Sequence, residues 1–405
     1  MKTITFIIFI FGVFNNCLLA QVGCTDPLAS NYNSNATTND GSCIYQNAAV
    51  SPISSVLLSA AIQETSGLLE WNNNLFTHND NTDTKIYKLN KTDGAIIQDY
   101  SLNTIQNIDW EEIAQDEDYI YIGDFGNNAT GNRTNLKIYR IEKNSLSTTP
   151  QITTINFSYS NQTNFSAQTS NHTDFDCEAF VVTSNGILLF TKQWVSNNTN
   201  VYQLPKIPGN HIANLLTTLN VSGLITGATI KENLNLIALS GYSNMLEPFV
   251  FLLYDYTGFD FSTSNKRKIN ISLPFHQIEG ISTTNGLEYY LTNESFVNDT
   301  FVNNPQKLHK LSLDLYLGNY ISSLSNTDFF ETEEKAVLTP NPTDGELYLK
   351  PSDKTNQDYQ IFDLHGKLTK QGTSDGDKIN VNGLGKGLYF LKLTQNRQVF
   401  KFLKK

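Results

Sequence analysis

The sequence predicts an all-β protein. It reads as a five- or six-bladed β-propeller followed by a small C-terminal β-sandwich, with a short N-terminal disulfide module in front. Three observations predict this. First, one phrase recurs along the chain: DWEEIAQDEDYIYIGDFGNN (109–128), DCEAFVVTSNGILLFTKQW (176–194) and IEGISTTNGLEYYLTNES (278–295), with worn copies at 64–81 and 225–243. Second, each copy is two short apolar strands around a polar hinge, and further short strands follow it, the pattern of a blade. Third, strand and turn formers dominate, since Asn, Thr, Ser, Ile, Leu and Tyr abound while helix formers are sparse.

Aligning the copies puts Ser66, Glu111, Glu178, Thr226 and Glu279 at one position, with successive gaps of 45, 67, 48 and 53 residues. A period of roughly 40–50 residues marks propellers. Third strands are expected at 85–89, 136–141, 200–204, 249–254 and 307–311. Fourth strands are expected at 95–102, 151–159, 215–221 and 268–273. The fifth unit lacks a fourth strand downstream. SSVLLSAAI, beginning at Ser54, fits it (a strand over 55–62), and would close the ring by joining the chain's two ends. The long segment 144–174 leaves room for a sixth, diverged blade.

Ahead of the propeller, 1–20 reads as a signal peptide, with Lys2, an apolar core over 4–13 and Leu18-Leu19-Ala20 before the cut. No later apolar run reaches membrane-spanning length. Cys24 and Cys43 then pair across a short loop in an oxidising compartment. Cys177, on an inner strand, reads as a small buried thiol. Between the paired cysteines, Asp26, Asn31, Asn33, Asn35, Asn39 and Asp40 crowd together. Hard oxygen ligands at such spacing suit Ca²⁺, and Asx side chains also simply make turns. The unit, 23–45 (GCTDPLASNYNSNATTNDGSCIY), resembles a short module of secreted Bacteroidetes proteins.

The propeller, 48–326, resembles the phytase-like, esterase-like and SdiA-regulated propellers. Glu64–Leu68, Phe76–Asp80, Asp109–Ala114 and Tyr121–Asn128 carry that resemblance. Such rings host both enzymes and binders. An acidic linker over 327–335 leads to 336–405. There, Pro340-Asn341-Pro342, Asp363 with Gly366-Lys367, Leu384 with Gly387-Leu388-Tyr389, and Lys401–Lys405 stand in order. This segment resembles the type IX (Por) secretion C-terminal sorting domain, type A. The resemblance implies passage across the outer membrane, with the secretion machinery as partner and a secreted or surface location. Ile361, Leu364, Leu388, Phe390, Leu391 and Leu393 are its expected inward residues.

Glu111, Glu178 and Glu279 share a repeat position and should converge on the central channel. Asp109 and Asp176 precede two of them. With Asp124 they form a candidate site for Ca²⁺ or another cation. The rival role is structural, each Glu accepting N–H bonds from a neighbouring blade. The second strands end in His78-Asn79-Asp80, Asp124, Lys192 and Asn293-Glu294. Of these, His78, Lys192 and Glu294 are the candidates for binding a phosphate ester and moving a proton, against a plain reading as turn polarity. Trp71, Trp110 and Trp194 recur at strand–loop junctions, as core or as a stacking platform for a sugar. A net charge of −11 argues against nucleic acid. No Gly-x-Ser-x-Gly elbow, phosphate-cradling Gly-rich loop or HExxH occurs. Two readings follow. One is a surface binder of a glycan, peptide or partner. The other is a calcium-dependent hydrolase of phosphate esters or similar bonds. The sequence leaves open whether the protein is an enzyme.

Overall fold

A computed structural model describes residues 21–298, 302–327, 337–350, 356–364, 366–393 and 399–405. The segment 1–20, read in the sequence as a signal peptide, and most of the expected linker lie outside the described residues. The chain forms two units, 1–322 and 323–405.

Short apolar runs separated by Asn- and Gly-rich turns fold into four-stranded antiparallel blades, and there are five of them among the described residues. From inside outward, blade 1 is Thr65–Trp71, Asn74–Asn79, Lys85–Leu89 and Ile96–Ser101. Blade 2 is Trp110–Gln115, Tyr119–Asp124, Lys137–Glu142 and Ile152–Tyr159. Blade 3 is Asp176–Thr183, Gly186–Lys192, Thr199–Leu204 and Gly209–Leu219. Blade 4 is Leu224–Lys231, Leu236–Tyr242, Pro248–Tyr254 and Asn265–Ile271. Blade 5 is Ile278–Thr283, Glu288–Asn293 and Lys307–Ser312, completed by the N-terminal strand Ser54–Leu57. That strand pairs antiparallel with the third strand, Leu57 opposite Lys307 and Ser55 opposite His309. The five inner strands neighbour one another in order, and the fifth returns to the first. The ring is closed and leaves no inner sheet edge.

An apolar core fills each gap between blades. Phe190 and Leu188 meet Ile237 and Phe249 between blades 3 and 4, and Tyr121 and Ile138 meet Phe180 and Leu189 between blades 2 and 3. The ring-closing gap holds Leu58, Ile62, Leu68, Leu75, Tyr290 and Leu308. A strand covered on both faces reads as a continuous apolar run, as GILLFTK and PFVFLLY do, every residue of both being buried.

Three features depart from expectation. The outer strand of blade 3 begins at Gly209, because Gly209–Ala213 pair in parallel with Ile155–Tyr159 of blade 2. The closing strand ends at Leu57, and Ala60–Ile62 turn into a 3₁₀ helix capped by Ser59. A helix, Asp314–Thr327, follows blade 5 and takes in the first residue assigned to the linker. Its Tyr316 and Leu317 pack into the blade 4–blade 5 core.

The Cys24–Cys43 disulfide is formed. Its module docks on blade 4: Tyr254 donates a hydrogen bond to Asp26, and Thr25 and Asn39 donate to Asp255. The C-terminal unit has two sheets, one of three strands and one of four. Leu347, Ile361, Ile379, Leu391, Leu393 and Phe402 form its core. Leu388 and Phe390 are half-buried. Leu364, expected inward, is 62% exposed, because it follows the end of its strand at Phe362.

Candidate functional site

The repeat position coincides with a backbone irregularity. In blade 2, Glu112 pairs with Gly123 and Trp110 with Asp124, so Glu111 is an extra residue. Glu178 is likewise extra between Cys177 and Ala179, as are Thr226 between Ile225 and Gly227 and Glu279 between Ile278 and Gly280. A β-bulge re-aims a side chain out of the pleat. In blade 1 the register shifts one step later, over Gly67 and Leu68. The inner strands approach so closely there that a Cβ on Gly67 would lie 2.6 Å from the Ile113 nitrogen.

The hydroxyls at this position lace the ring. Ser66 donates to the Glu111 carbonyl at 2.7 Å, and Thr226 donates to the Ile278 carbonyl. The three glutamates do something else: they join a cluster of carboxylates at one mouth. Glu178 is near enough for its charge to act on Glu111, and Glu279 for its charge to act on Glu178. All three are buried. Lys192 stands 3.2 Å from Glu178, with its ammonium 4.7 Å from the Trp194 ring centre and 5.2 Å from that of Tyr242. Asp176 accepts from Trp194 Nε1 at 2.7 Å and from the Asn127 N–H. Asp124 is committed to Arg133 at 2.8 Å and to the Asp109 N–H at 3.3 Å. Beside them, Glu64, Asp80 and Glu294 offer oxygens that all lie within 4.8 Å of one another.

Burial, then like charge, pushes these acids up. Asp109 rises to about 6 by burial and the Asp176 charge. Glu178 and Glu294 rise to about 7 by burial, opposed by Lys192. Glu279 rises to about 8 by burial, again opposed by Lys192. Asp80 rises to about 8 by burial and the Glu294 and Glu64 charges. Glu111 and Asp176 are also raised, chiefly by burial and then by Glu178. Burial works against the Lys192 ammonium, yet Glu178 and its neighbours hold its pKa up. Among the described residues Glu279 Oε2 is buried with no hydrogen-bond partner.

Of the residues singled out in the sequence, Glu111, Glu178, Glu279, Asp109, Asp176, Lys192 and Glu294 come together here, with Asp124 at the edge. His78 does not join them. It is buried edge-on against Trp110, its Nδ1 3.1 Å from the Asn79 carbonyl, and burial drives its pKa to about 4. The N-terminal acids and amides serve their own turns. Asn33 caps the Asn35 N–H, Asp40 caps the Ser42 N–H, and Asn31 holds the Ser42 carbonyl and the Ile44 N–H. Asp26 binds Tyr45 and Tyr254. Cys177 is buried, and burial raises its thiol. Trp110 is core, whereas Trp71 and Trp194 are half-buried.

Sequence reasoning missed Glu64 as a member of the cluster, although it is the first residue of the worn blade-1 repeat. It also missed Glu112, whose Oε2 accepts from the Ala228 N–H at 2.7 Å and whose Oε1 accepts from Ile113 at 3.0 Å. Further along the same strands, a cavity of about 180 Å³ opens between Leu68, Ile113, Val181, Ala228 and Ser282.

Among solved structures the chain is similar to propellers at low identity. A PQQ-bound aldose sugar dehydrogenase from Streptomyces coelicolor shares 9% identity over 65% of this chain and 98% of its own, with TM-score 0.40. The WD40 repeats of RRP9 share 10% over 66% of this chain and 100% of theirs, with TM-score 0.32. A chain of the complex of Drosophila plexin A with semaphorin 1b shares 10% over 62% of this chain and 64% of its own, with TM-score 0.32. The propeller assignment rests on the strand order. No curated protein matches the chain. Residues 337–405 match the family model for the secretion system C-terminal sorting domain. This C-terminal segment is a type IX sorting domain, and it marks the chain for the cell surface or the extracellular space.

Proposed function

We propose that the protein is an exported binding propeller that recognises an extracellular ligand at its acidic mouth, with Ca²⁺ held by the carboxylates as its cofactor. One observation carries this reading: Glu279 Oε2 is buried without a partner in a cluster of acids whose resident cations, Lys192 and Arg133, are fewer than the carboxylates. Buried like charges repel, and hard oxygen donors suit Ca²⁺. The half-buried Trp194, with Lys192 over its ring, offers a flat face on which a sugar or an aromatic group stacks. Peptides and glycans are the ligand classes to screen. The test is a glycan and peptide array probed with the full chain in Ca²⁺ and in chelator. Calcium-dependent binding lost in Glu178→Gln supports the reading. Binding indifferent to both contradicts it.

A hydrolase is the second reading. It is favoured by acids of different strength in one mouth, Asp109 near 6 and Asp80 near 8, since a base and an acid are then both available near neutrality. A phosphatase and esterase panel with and without chelator tests it. Turnover unaffected by Glu111→Gln, Glu178→Gln and Glu279→Gln removes it.

A further inference from the structure

Glu64 precedes the inner strand of blade 1, Asp80 directly follows that blade's second strand, and Glu294 directly follows the second strand of blade 5. The three therefore straddle the seam where the last blade, completed by the N-terminal strand, meets the first. The backbone there is already knit. Ser295 donates its N–H to the Gln63 carbonyl at 2.7 Å across the seam, and Asp80 donates its own to Glu64 at 3.1 Å.

We propose that one divalent cation, Ca²⁺ in an extracellular setting, binds between Glu64, Asp80 and Glu294 and fastens this seam. The proposal rests on the reading of the mouth as a cation site and says where in the mouth the ion sits. Three facts select this place over the repeat glutamates. The oxygens lie within 4.8 Å of one another. Two ligands on one Ca²⁺, each at roughly 2.3–2.6 Å, can be no further apart than about 5 Å. Among the described residues no Lys or Arg forms a salt bridge with any of the three, Lys192 acting on Glu294 only by its charge, whereas Glu178 is bridged to Lys192 and Asp124 to Arg133. Finally, Glu279, 6% exposed, has a buried Oε2 with no hydrogen-bond partner among the described residues, and after Lys192 the charges that bear on it most are those of Glu294 and Asp80. All three carboxylates are half-buried, which leaves a side open for water to complete the shell.

The ion bridges two blades that are distant in sequence, so it should act on stability as well as on recognition. A cation that binds only the closed ring stabilises the folded chain by mass action.

The test is Ca²⁺ calorimetry and thermal melting on the full chain, comparing the natural protein with Glu64→Gln and Glu294→Gln. The natural protein should bind Ca²⁺ and melt several degrees higher in 1 mM Ca²⁺ than in chelator. Each variant should lose at least tenfold in affinity and most of that thermal gain. In chelator each variant should melt at or above the natural protein, because one repelling charge is gone. That rise is not expected of a substitution that merely damages the fold. If both variants bind Ca²⁺ with unchanged affinity, this placement is overturned while the mouth remains a calcium site. If the natural protein gives no Ca²⁺ heat and no thermal shift, the placement and the calcium reading of the mouth fall together.

Discussion

Glu112 Oε2 accepts the Ala228 N–H at 2.7 Å, and so ties blade 2 to blade 4 across the channel. Its Oε1 accepts Ile113 at 3.0 Å and Leu68 of blade 1 at 3.4 Å. One side chain thus holds three blades. The structural role considered for the repeat glutamates belongs to their neighbour, because the bulge at Glu111 turns adjacent side chains to different tasks. Glu112→Ala leaves three buried N–H groups without an acceptor, at about 1–3 kcal/mol each. The protein should lose about 3 kcal/mol or more, read as a fall in melting temperature. Glu112→Gln should also destabilise, since its NH₂ would meet an N–H where an oxygen now sits.

Ring closure is sensitive to acid through His309. Asn293 Nδ2 donates to the carbonyls of Glu294 and Pro305, so its Oδ1 accepts from His309 Nε2 at 2.8 Å. His309 Nδ1 then accepts from Ser55 of the closing strand at 2.7 Å. The ring is neutral, and burial, followed by the charges of His276 and Lys307, lowers its pKa from 6.5 to about 3. The folded value lies below the unfolded one. Below pH 6.5 the unfolded chain therefore takes up a proton that the folded chain refuses, and stability is lost as pH falls toward 3. From pH 6.5 to 4.5 this group should contribute a loss of about 2–3 kcal/mol. The raised carboxylates act in the opposite sense. The difference between the natural protein and His309→Gln in urea unfolding across that range isolates the histidine, and a difference that stays constant with pH contradicts the account.

Asp26 anchors the N-terminal module. Its Oδ2 accepts from Tyr45 at 2.8 Å and from Tyr254 at 2.5 Å, and its Oδ1 accepts from the Leu28 N–H at 2.8 Å. Hydrogen bonds to a charged group contribute about 1.5–3 kcal/mol each. Asp26→Ala should loosen the docked module and speed its proteolytic release, while Asn35→Ala, at an exposed turn, should not.

The sorting domain should act as a portable address. Residues 337–405, fused behind a periplasmic reporter in a host with type IX machinery, should carry it to the surface or the medium. The chain without them should stay in the periplasm. Fractionation of the two strains reads the outcome.

Much of the ring was legible because blades repeat. The five lead positions, the third strands and the closing N-terminal strand follow from apolar runs that recur in the same order in each unit. The bulges were not legible, since a register shift has no residue signature: Glu111 and Glu112 are the same residue type, and only backbone pairing separates a site residue from a clamp. Glu64 hid for a different reason: it opens the worn blade-1 copy two residues ahead of the aligned position, and it enters the site through ring closure. The helix Asp314–Thr327 carries three Ser, two Asn and one Gly, poor helix formers, and its Tyr316 and Leu317 hold it by packing. In the Cys24–Cys43 loop, spacing could not distinguish ligands from turns, because an Asx side chain that caps the N–H two residues on looks, in sequence, like a calcium ligand.

The most direct measurement is a crystal of the full chain soaked in terbium, a calcium substitute, with anomalous diffraction recorded at its absorption edge. The account predicts one strong peak bounded by Glu64, Asp80 and Glu294, with Glu279 turned toward it. A mouth free of anomalous signal, with Glu111, Glu178 and Glu279 directed into separate blades, would contradict it.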